Sequence, residues 1–329
     1  MADLPLDSPA RQRLATDLLG WGEPRPRVDP QTVVDLRDQL ESGLRGIGDD
    51  LGAVAAAQRG GHLLVTKTKL DRLVCDGLQL DAVPFQHTSA SVRGILGHAV
   101  VEHDLDAGRT DPAGRVVEMV WQAEASRRPG DPSSLSAWLN QQPREQAQLL
   151  RGDLTDLLEG FREVWPPLPS ERVRIRTEGP IGVSLADGRV RLFGRPDLII
   201  DSHQEDDRAR TLVVDLKTGR PRSEHDRHEL RFYALLVTLS RGRPPFRWAT
   251  YYVTEGRHEA EDLRAEVLEA TARRVIDGAR QLVRLGVRDP DDERDLRLRG
   301  GSWCFMCLRE DDCEVAAAAR AEHAREGFG

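Results

Sequence analysis

The sequence predicts an α/β domain in which short strands in the middle of the chain are flanked by amphipathic helices. Short runs of β-branched and aliphatic residues, each bounded by turn-forming residues, are concentrated between residues 172 and 254. Apolar residues recur at helical spacing on either side of that region, most clearly over residues 262–285. Together these patterns indicate one sheet region enclosed by helices.

Composition and charge limit the function classes. The 329 residues are 39% hydrophobic, which is enough for a core in a chain of this length. The net charge of −8 argues against a general basic surface for nucleic acid, so any such contact must be local. No apolar run reaches the ~18 residues of a membrane span, and Met1-Ala-Asp-Leu-Pro5 does not resemble a secretory signal. We therefore expect a cytoplasmic protein with no membrane partner.

Breaks in composition predict the domain organisation. Residues 1–61 are predicted to be an N-terminal helical region with proline-rich breaks. Residues 62–315 form the main domain, with a helical insertion over residues 105–165 and a cysteine cluster at residues 300–315. An alanine-rich tail helix is predicted over residues 316–329.

The strands can be justified one by one. Residues 173–176 alternate between apolar and basic side chains, as a half-buried strand does, whereas residues 198–200 and 212–214 are continuous apolar runs. The predicted strands are, in order, Val173–Arg176, Ile181–Leu185, Val190–Phe193, Leu198–Ile200, Leu212–Asp215 and Trp248–Val253.

Two of these strands carry carboxylates at their ends. Asp197 directly precedes the run Leu198–Ile200, and Asp215 directly follows Leu212–Val214. Two carboxylates on adjacent strands form a hard oxygen site suited to Mg²⁺ or Mn²⁺. Because side chains alternate along a strand, Asp215 and Lys217 share a face, and we expect both at an open, hydrated site.

Lys217 is one of only three lysines among 47 basic residues. Arginine serves nearly everywhere else, so a lysine here favours a compact point charge that can approach a reacting oxygen. A metal and an ammonium at one point suit phosphodiester hydrolysis. An ordinary pair of strands with a surface Asp and Lys remains the alternative.

Two helices complete a recognisable order of motifs. Residues 91–102 and 229–239 both have helical periodicity, and His98 lies within the first. The chain resembles the RecB-like branch of the PD-(D/E)XK nucleases, whose fold is a mixed sheet flanked by helices. Its motifs correspond here to Gly94 to His98, Gly194 to Asp197, Asp215 to Lys217, and Glu229 to Tyr233, with Glu229 standing where the family has Gln.

The resemblance implies roles for the motif residues. His98, Asp197, Asp215 and the backbone carbonyl of Leu216 would bind Mg²⁺ or Mn²⁺, while Lys217 would be catalytic together with the two aspartates. Glu178 is a further candidate, as an additional ligand or water-positioning group or simply as a solvated strand-end carboxylate.

The same resemblance implies a surface for nucleic acid. The helix with Glu229 and Tyr233 normally faces nucleic acid in the family. Basic residues are locally enriched between residues 215 and 250, and we expect Arg220 and Arg231 of that segment to contact phosphates. Lys67 and Lys69 precede a helix predicted at Cys75, where they either contact phosphates or form a solvated turn.

The four cysteines indicate one site. Cys304, Cys307 and Cys313 lie within ten residues of one another, and Cys75 lies more than 200 residues upstream. A 4Fe–4S cluster and structural zinc are the two main alternatives, and the lack of a secretory signal disfavours disulfides. One cysteine before the nuclease core and three after it resemble the iron–sulfur staple of AddB-type and CRISPR-adaptation exonucleases, which favours the cluster.

Three functions are consistent with these observations. The first is a metal-dependent DNA nuclease that acts on single strands or ends in repair, recombination, CRISPR adaptation or phage defence. The second is a non-catalytic iron–sulfur DNA-binding module of a larger complex, and the third is a redox-active or sensory iron–sulfur protein. The sequence has no P-loop motif, so duplex unwinding would require a helicase partner.

Overall fold

The protein is described here by a computed structural model, which covers residues 6–127, 133–170, 173–177, 179–202, 208–219, 223–289 and 295–325. The chain forms two compact units, each assembled from three separate stretches. Unit 1 comprises Met1–Val33, Gln86–Ile181 and Arg195–Val267. Unit 2 comprises Val34–Phe85, Gly182–Gly194 and Leu268–Gly329.

Unit 1 contains a five-stranded mixed sheet. Its strands, in spatial order, are β2 (Val173–Thr177), β5 (Leu198–Ser202), β6 (Thr211–Lys217), β7 (Arg247–Tyr252) and β8 (Arg257–Asp262). Strand β6 pairs antiparallel with β5 and parallel with β7. Helix α10 (Ser223–Arg241) lies between β6 and β7 in the chain, which gives the helical crossover that a parallel pair requires.

The burial of β6 explains its position at the centre of this sheet. Every residue from Thr211 to Leu216 is buried, in keeping with the continuous apolar run in the sequence. Strand β2 lies at an edge instead, and its arginines Arg174 and Arg176 are exposed while the residues between them are partly buried.

Helices of unit 1 form an apolar core against one face of the sheet. The elements that contribute to this core are a π-helical turn (Leu14–Leu18), α6 (Ser89–Asp106), α7 (Ala113–Ala125), α8 (Leu135–Asn140) and α9 (Arg144–Val164). The short helix α1 (Pro9–Arg13) leads into the turn, and α10 contributes no residue to this core. Phe161 and Trp165, at the end of α9, stack with ring centroids 5.3 Å apart, and Tyr251 of β7 packs edge-on against Trp165 at 5.1 Å. These aromatic contacts join the helical insertion to the sheet.

The start of α6 is fixed by a capping box. The Thr88 hydroxyl accepts a hydrogen bond from the Ser91 backbone N–H, and the Ser91 hydroxyl accepts one from the Thr88 N–H. Val92, Leu96 and Val100 then face the core at helical spacing. The cap and the buried stripe together set the rotation of α6, and therefore the direction in which its polar face points.

Unit 2 contains a second, three-stranded sheet in the order β1 (Leu63–Val65), β4 (Val190–Gly194) and β3 (Ile181–Leu185). Its helices are α2 (Pro30–Arg45), α3 (Asp49–Ala57), α4 (Lys67–Arg72), α5 (Asp76–Leu80), α11 (Ala265–Val287) and α12 (Glu314–Arg325), with a 3-10 turn at Cys304–Met306. The long amphipathic helix α11 buries a stripe that includes Leu268, Val275 and Ala279.

The mixed α/β class is confirmed, and all six predicted strands are present. Strands β1 and β8 were not predicted; β8 is polar because it is an edge strand, and it lacks the alternation that marks a half-buried strand. The predicted helix over residues 262–285 is α11, which begins later because β8 extends to Asp262. The helix predicted at Cys75 is wrong in detail, since Cys75 is the N-cap residue of the short helix α5.

The described part of the chain contains no helix that is both long enough and apolar enough to cross a membrane.

A charged network closes the end of β5 and supports a prediction about acid stability. Asp201 accepts hydrogen bonds from the Thr211 hydroxyl (2.7 Å), Arg241 (2.6 Å) and Arg176 (2.8 Å). Burial raises the pKa of Asp201, but these three partners outweigh burial and hold that pKa below its ordinary value. The network therefore stabilises the fold only while the Asp201 carboxylate is ionised.

We expect Asp201→Asn to lower the free energy of unfolding by about 1–2 kcal/mol at pH 7, allowing for solvent screening at the half-exposed Arg176. The difference from wild type should shrink as the pH falls below about 4 and passes through the lowered pKa of folded Asp201. Urea unfolding at several pH values measures this. Asp187→Asn, at an exposed ion pair with Arg45, is the control and should change little. A difference that stays constant down to pH 2 would contradict the prediction.

Candidate active site

The two strand aspartates converge because β5 and β6 are antiparallel neighbours. Leu198 lies opposite Val214, so the residue before Leu198 and the residue after Val214 are adjacent across the ladder. One carboxylate oxygen of Asp197 accepts the Leu216 backbone N–H at 2.7 Å. This bond fixes Asp197 at the end of the sheet beside the Asp215 strand.

Lys217 bridges two buried carboxylates. Its Nζ lies 2.7 Å from Asp215 Oδ2 and 2.8 Å from Glu229 Oε2. The Tyr233 hydroxyl donates to the other oxygen of Glu229 at 3.2 Å, one turn further along α10. Asp215 and Lys217 were predicted to share a face of the strand, and in the structure their side chains are in contact. Glu229 and Tyr233 belong to the same hydrogen-bonded group.

Helix α6 brings His98 to this group because it packs closely against the chain after β6. A Cβ atom at Gly97 would lie 3.0 Å from the Thr218 methyl group, so glycine permits the close approach. One turn earlier, Arg93 donates to the Thr218 carbonyl at 3.3 Å. His98 Nδ1 then lies 3.5 Å from Asp197 Oδ2.

A third potential ligand, Glu102, was missed at the sequence level. Ligand atoms of His98, Glu102 and Asp197 all lie within 4.8 Å of one another. Glu102 follows His98 by four residues, so the two side chains share one face of α6. That spacing was the available signal, but only the fold shows that this face meets Asp197. One imidazole and two carboxylates form a donor set that fits Mn²⁺ or Mg²⁺.

The pKa values at the site reflect these contacts. Burial lowers the pKa of Lys217, but Asp215 and Glu229 outweigh burial and raise it well above its ordinary value. For Asp215, burial and the neighbouring Asp197 raise the pKa of the carboxyl more than Lys217 lowers it. Burial lowers the pKa of His98, whereas Asp197 and Asp215 raise it and have the larger effect. The site is therefore a compact set of mutually dependent charges.

The expectation of an open, hydrated site is wrong for Asp215. Its side chain is only 4% exposed, while that of Lys217 is 25% exposed. The reason is that the Asp215 side chain lies on the sheet face against which α10 packs, beside Lys217 and the buried Glu229. Lys217, the last residue of β6, is the part of the pair that reaches solvent.

The remaining predicted nucleic-acid residues are placed as follows. Arg231 on α10 forms a two-pronged pair with Glu261 of β8, which orders it at the sheet edge. Lys67 and Lys69 lie in α4 of unit 2, where Lys67 pairs with Asp71 and Lys69 donates to the Leu64 carbonyl. Their contact with phosphates stays a prediction. Two predicted residues, Glu178 and Arg220, lie outside the described part of the chain.

All four cysteines line one cavity of about 580 Å³ in unit 2. The segment at Cys307 pairs with Ala82, and the Leu308 N–H donates to the Asp81 carbonyl at 2.7 Å, which brings the three late cysteines to Cys75. Backbone N–H groups of Arg299 and Gly301 point at two of the sulfur atoms. Burial, reinforced by Cys75, Asp81 and Cys313, raises the pKa of Cys307.

A protein-family model matches most of the chain. The sequence model of the PD-(D/E)XK nuclease superfamily matches residues 73–317. The chain belongs to this superfamily. The matched range includes the candidate active-site group and all four cysteines, from Cys75 to Cys313. The mixed α/β fold described above agrees with it.

Comparisons with solved structures and curated proteins do not narrow the assignment beyond the superfamily. One similar solved structure, "Crystal structure of SSO0001", is 15% identical in sequence, and the match covers 87% of this chain and 96% of that one with a TM-score of 0.30. No curated protein matches the chain.

Proposed function

We propose that the protein is a metal-dependent DNA nuclease that hydrolyses phosphodiester bonds in single strands or at DNA ends. The observation that carries the proposal is the position of Lys217. Its ammonium group lies between the carboxylates of Asp215 and Glu229. On the neighbouring strand β5, the preceding residue Asp197 lies beside His98 and Glu102. A binding module would not require a partly buried lysine, paired with two carboxylates, beside such a ligand set.

The residues present fit a divalent metal ion. His98, Glu102 and Asp197 would hold Mg²⁺ or Mn²⁺, with Asp215 and the Leu216 carbonyl as the further ligands that the family resemblance implies. When bound, such an ion would activate water and neutralise phosphate charge. The Leu216 N–H keeps the Asp197 carboxylate oriented by a direct hydrogen bond, as supporting groups do in metal sites.

Lys217 acts as a cation and not as a general base. Because two carboxylates raise its pKa, it remains protonated at physiological pH. A protonated lysine at the exposed edge of the site stabilises the negative charge that develops on the phosphoryl oxygens during hydrolysis. Glu229 and the Tyr233 hydroxyl hold the ammonium group in place, which is the role we propose for Glu229 where the family has Gln.

We also propose that the four cysteines hold a 4Fe–4S cluster with a mechanical role. All four cysteines line one cavity, so the fold brings the remote Cys75 to the three late cysteines. Structural zinc usually takes its cysteines from two knuckles, and Cys75 has no partner knuckle. An iron–sulfur site bound by four cysteines tolerates one remote ligand, and the family resemblance favours it.

The metal site itself gives a test that does not depend on cleavage. Glu102→Gln should weaken Mn²⁺ binding about 10- to 100-fold, because it replaces a charged oxygen ligand by a neutral one. Titration calorimetry and the Mn²⁺ spin-resonance signal measure this, and the variant should also cleave labelled single-stranded DNA more slowly. Glu118→Gln, at a half-exposed position on α7, is the matched control. Equal Mn²⁺ affinity in wild type and Glu102→Gln would exclude Glu102 as a ligand.

A further inference from the structure

A surface cleft of about 410 Å³ lies at the start of α6, between that helix and the two helices of the insertion, α8 and α9. Its lining shares no residue with the ligand set or with the cysteine cavity. Its volume falls within the range of small-ligand pockets, roughly 300–1,000 Å³. The whole cleft belongs to unit 1, as does the candidate active site.

The lining combines one aromatic face with polar edges. The Trp138 indole, half-buried on α8, and Leu149 and Leu150 of α9 provide the apolar part. Gln142 and Gln146 add amide groups that both donate and accept hydrogen bonds. The Gln142 amide nitrogen donates to the Trp138 carbonyl at 2.9 Å, which ties the end of α8 to the tryptophan. A flat ring with hydrogen-bonding edges is the kind of molecule that this lining suits.

Arg93 connects the cleft to the candidate active site. Its side chain lines the cleft, and its guanidinium donates to the carbonyl of Thr218, the residue directly after Lys217. Arg93 also precedes His98 on the same helix by little more than one turn. Arg93 therefore contacts both the cleft and the residue next to Lys217.

We infer that this cleft binds a nucleobase of the substrate strand, with Trp138 as the stacking surface. The inference rests on the proposed nuclease function and specifies it further. A base can reach Trp138 only after leaving the duplex stack, so the cleft would select single-stranded or frayed DNA over paired DNA. Every base can stack on an aromatic side chain. The two glutamines would favour one base over another only through hydrogen bonds.

Binding of oligonucleotides that carry 2-aminopurine at successive positions tests the inference, and EDTA in the buffer prevents metal-dependent cleavage. We expect stacking on the side chain at position 138 to quench the 2-aminopurine fluorescence at one position of the oligonucleotide, in wild type and in Trp138→Phe. The quenching should be lost in Trp138→Ala. Trp138→Ala should also weaken binding about 5- to 150-fold, the equivalent of about 1–3 kcal/mol for one stacked base. Trp21→Phe, a partly buried tryptophan outside the cleft, is the control and should match wild type.

Abasic substitution provides the second arm. An abasic residue at the quenched position should weaken wild-type binding as strongly as Trp138→Ala does. In Trp138→Ala itself, the abasic residue should not lower the affinity any further. Equal quenching in wild type and Trp138→Ala, or an abasic penalty that persists unchanged in the variant, would overturn the nucleobase site. Both experiments measure binding, so they test the nucleobase site even if the protein cleaves no DNA. A protein that cleaves DNA but shows no base stacking would contradict the nucleobase site and leave the nuclease function standing.

Discussion

Replacing Lys217 by methionine is expected to lower the rate of DNA cleavage by about 10²- to 10⁴-fold, the usual cost of removing one group that stabilises a transition state. Lys217→Arg should lose most of the activity as well, because a planar guanidinium cannot replace a compact ammonium between Asp215 and Glu229. Single-turnover cleavage of a labelled single-stranded oligonucleotide measures the effect.

Lys217 variants are expected to lose stability as well as catalysis, so the two effects must be separated. Removing Lys217 alone takes the ammonium group away from two buried carboxylates, which costs stability as well as activity. The double variant Lys217→Met with Glu229→Gln removes one charge of each sign and should recover much of the stability without recovering cleavage. Arg257→Met, which breaks exposed pairs with Glu255 and Glu259, is a control for loss of a paired cation. Near-normal cleavage by the folded double variant would exclude Lys217 as a catalytic residue.

Replacing Cys75 by serine is expected to damage the protein as much as replacing Cys307, although more than 200 residues separate them in sequence. Both line the same cavity, and either change removes one ligand from the proposed cluster. Loss of the cluster should lower the melting temperature by several degrees, because the free energy of metal binding contributes to the free energy of folding. Cleavage should fall as a consequence of unfolding.

Metal content identifies the species in the cysteine site. Anaerobically purified wild type should be brown and contain about four irons per chain. Met306→Leu, an exposed change within the same turn, should keep the iron and the melting temperature. Colourless protein with one tightly bound zinc would replace the cluster by a zinc staple. Protein that binds neither metal and stays folded with all four cysteines changed to serine would contradict both.

The sheet half of the active site follows from local sequence patterns. Apolar runs next to Asp197 and Asp215 predict two adjacent strands whose carboxylates converge, and side-chain alternation predicts that Asp215 and Lys217 share a face. These features depend on residues close in sequence. The depth at which Asp215 is buried depends on how α10 packs on this face of the sheet, and a single strand pattern does not contain that information.

The helix half of the site was predictable only in part. His98 comes from the family resemblance, whereas Glu102 becomes a candidate ligand only when the docking of α6 on Thr218 is known. Glu229 was expected to face nucleic acid, but it is buried against Lys217, because the rotation of α10 is set by its packing on the sheet. The interleaved composition of the two units likewise depends on long-range contacts.

The most direct measurement is digestion of end-labelled single- and double-stranded DNA by the purified protein with Mg²⁺, with Mn²⁺ or with EDTA, beside the variant Asp215→Asn. We expect cleavage of single strands and ends with either metal ion, none in EDTA, none by Asp215→Asn, and little action on closed circular duplex. Cleavage that persists undiminished in EDTA or in Asp215→Asn would contradict the assignment of this site as a metal-dependent nuclease centre. So would wild-type protein with full metal content that binds DNA and never cuts it.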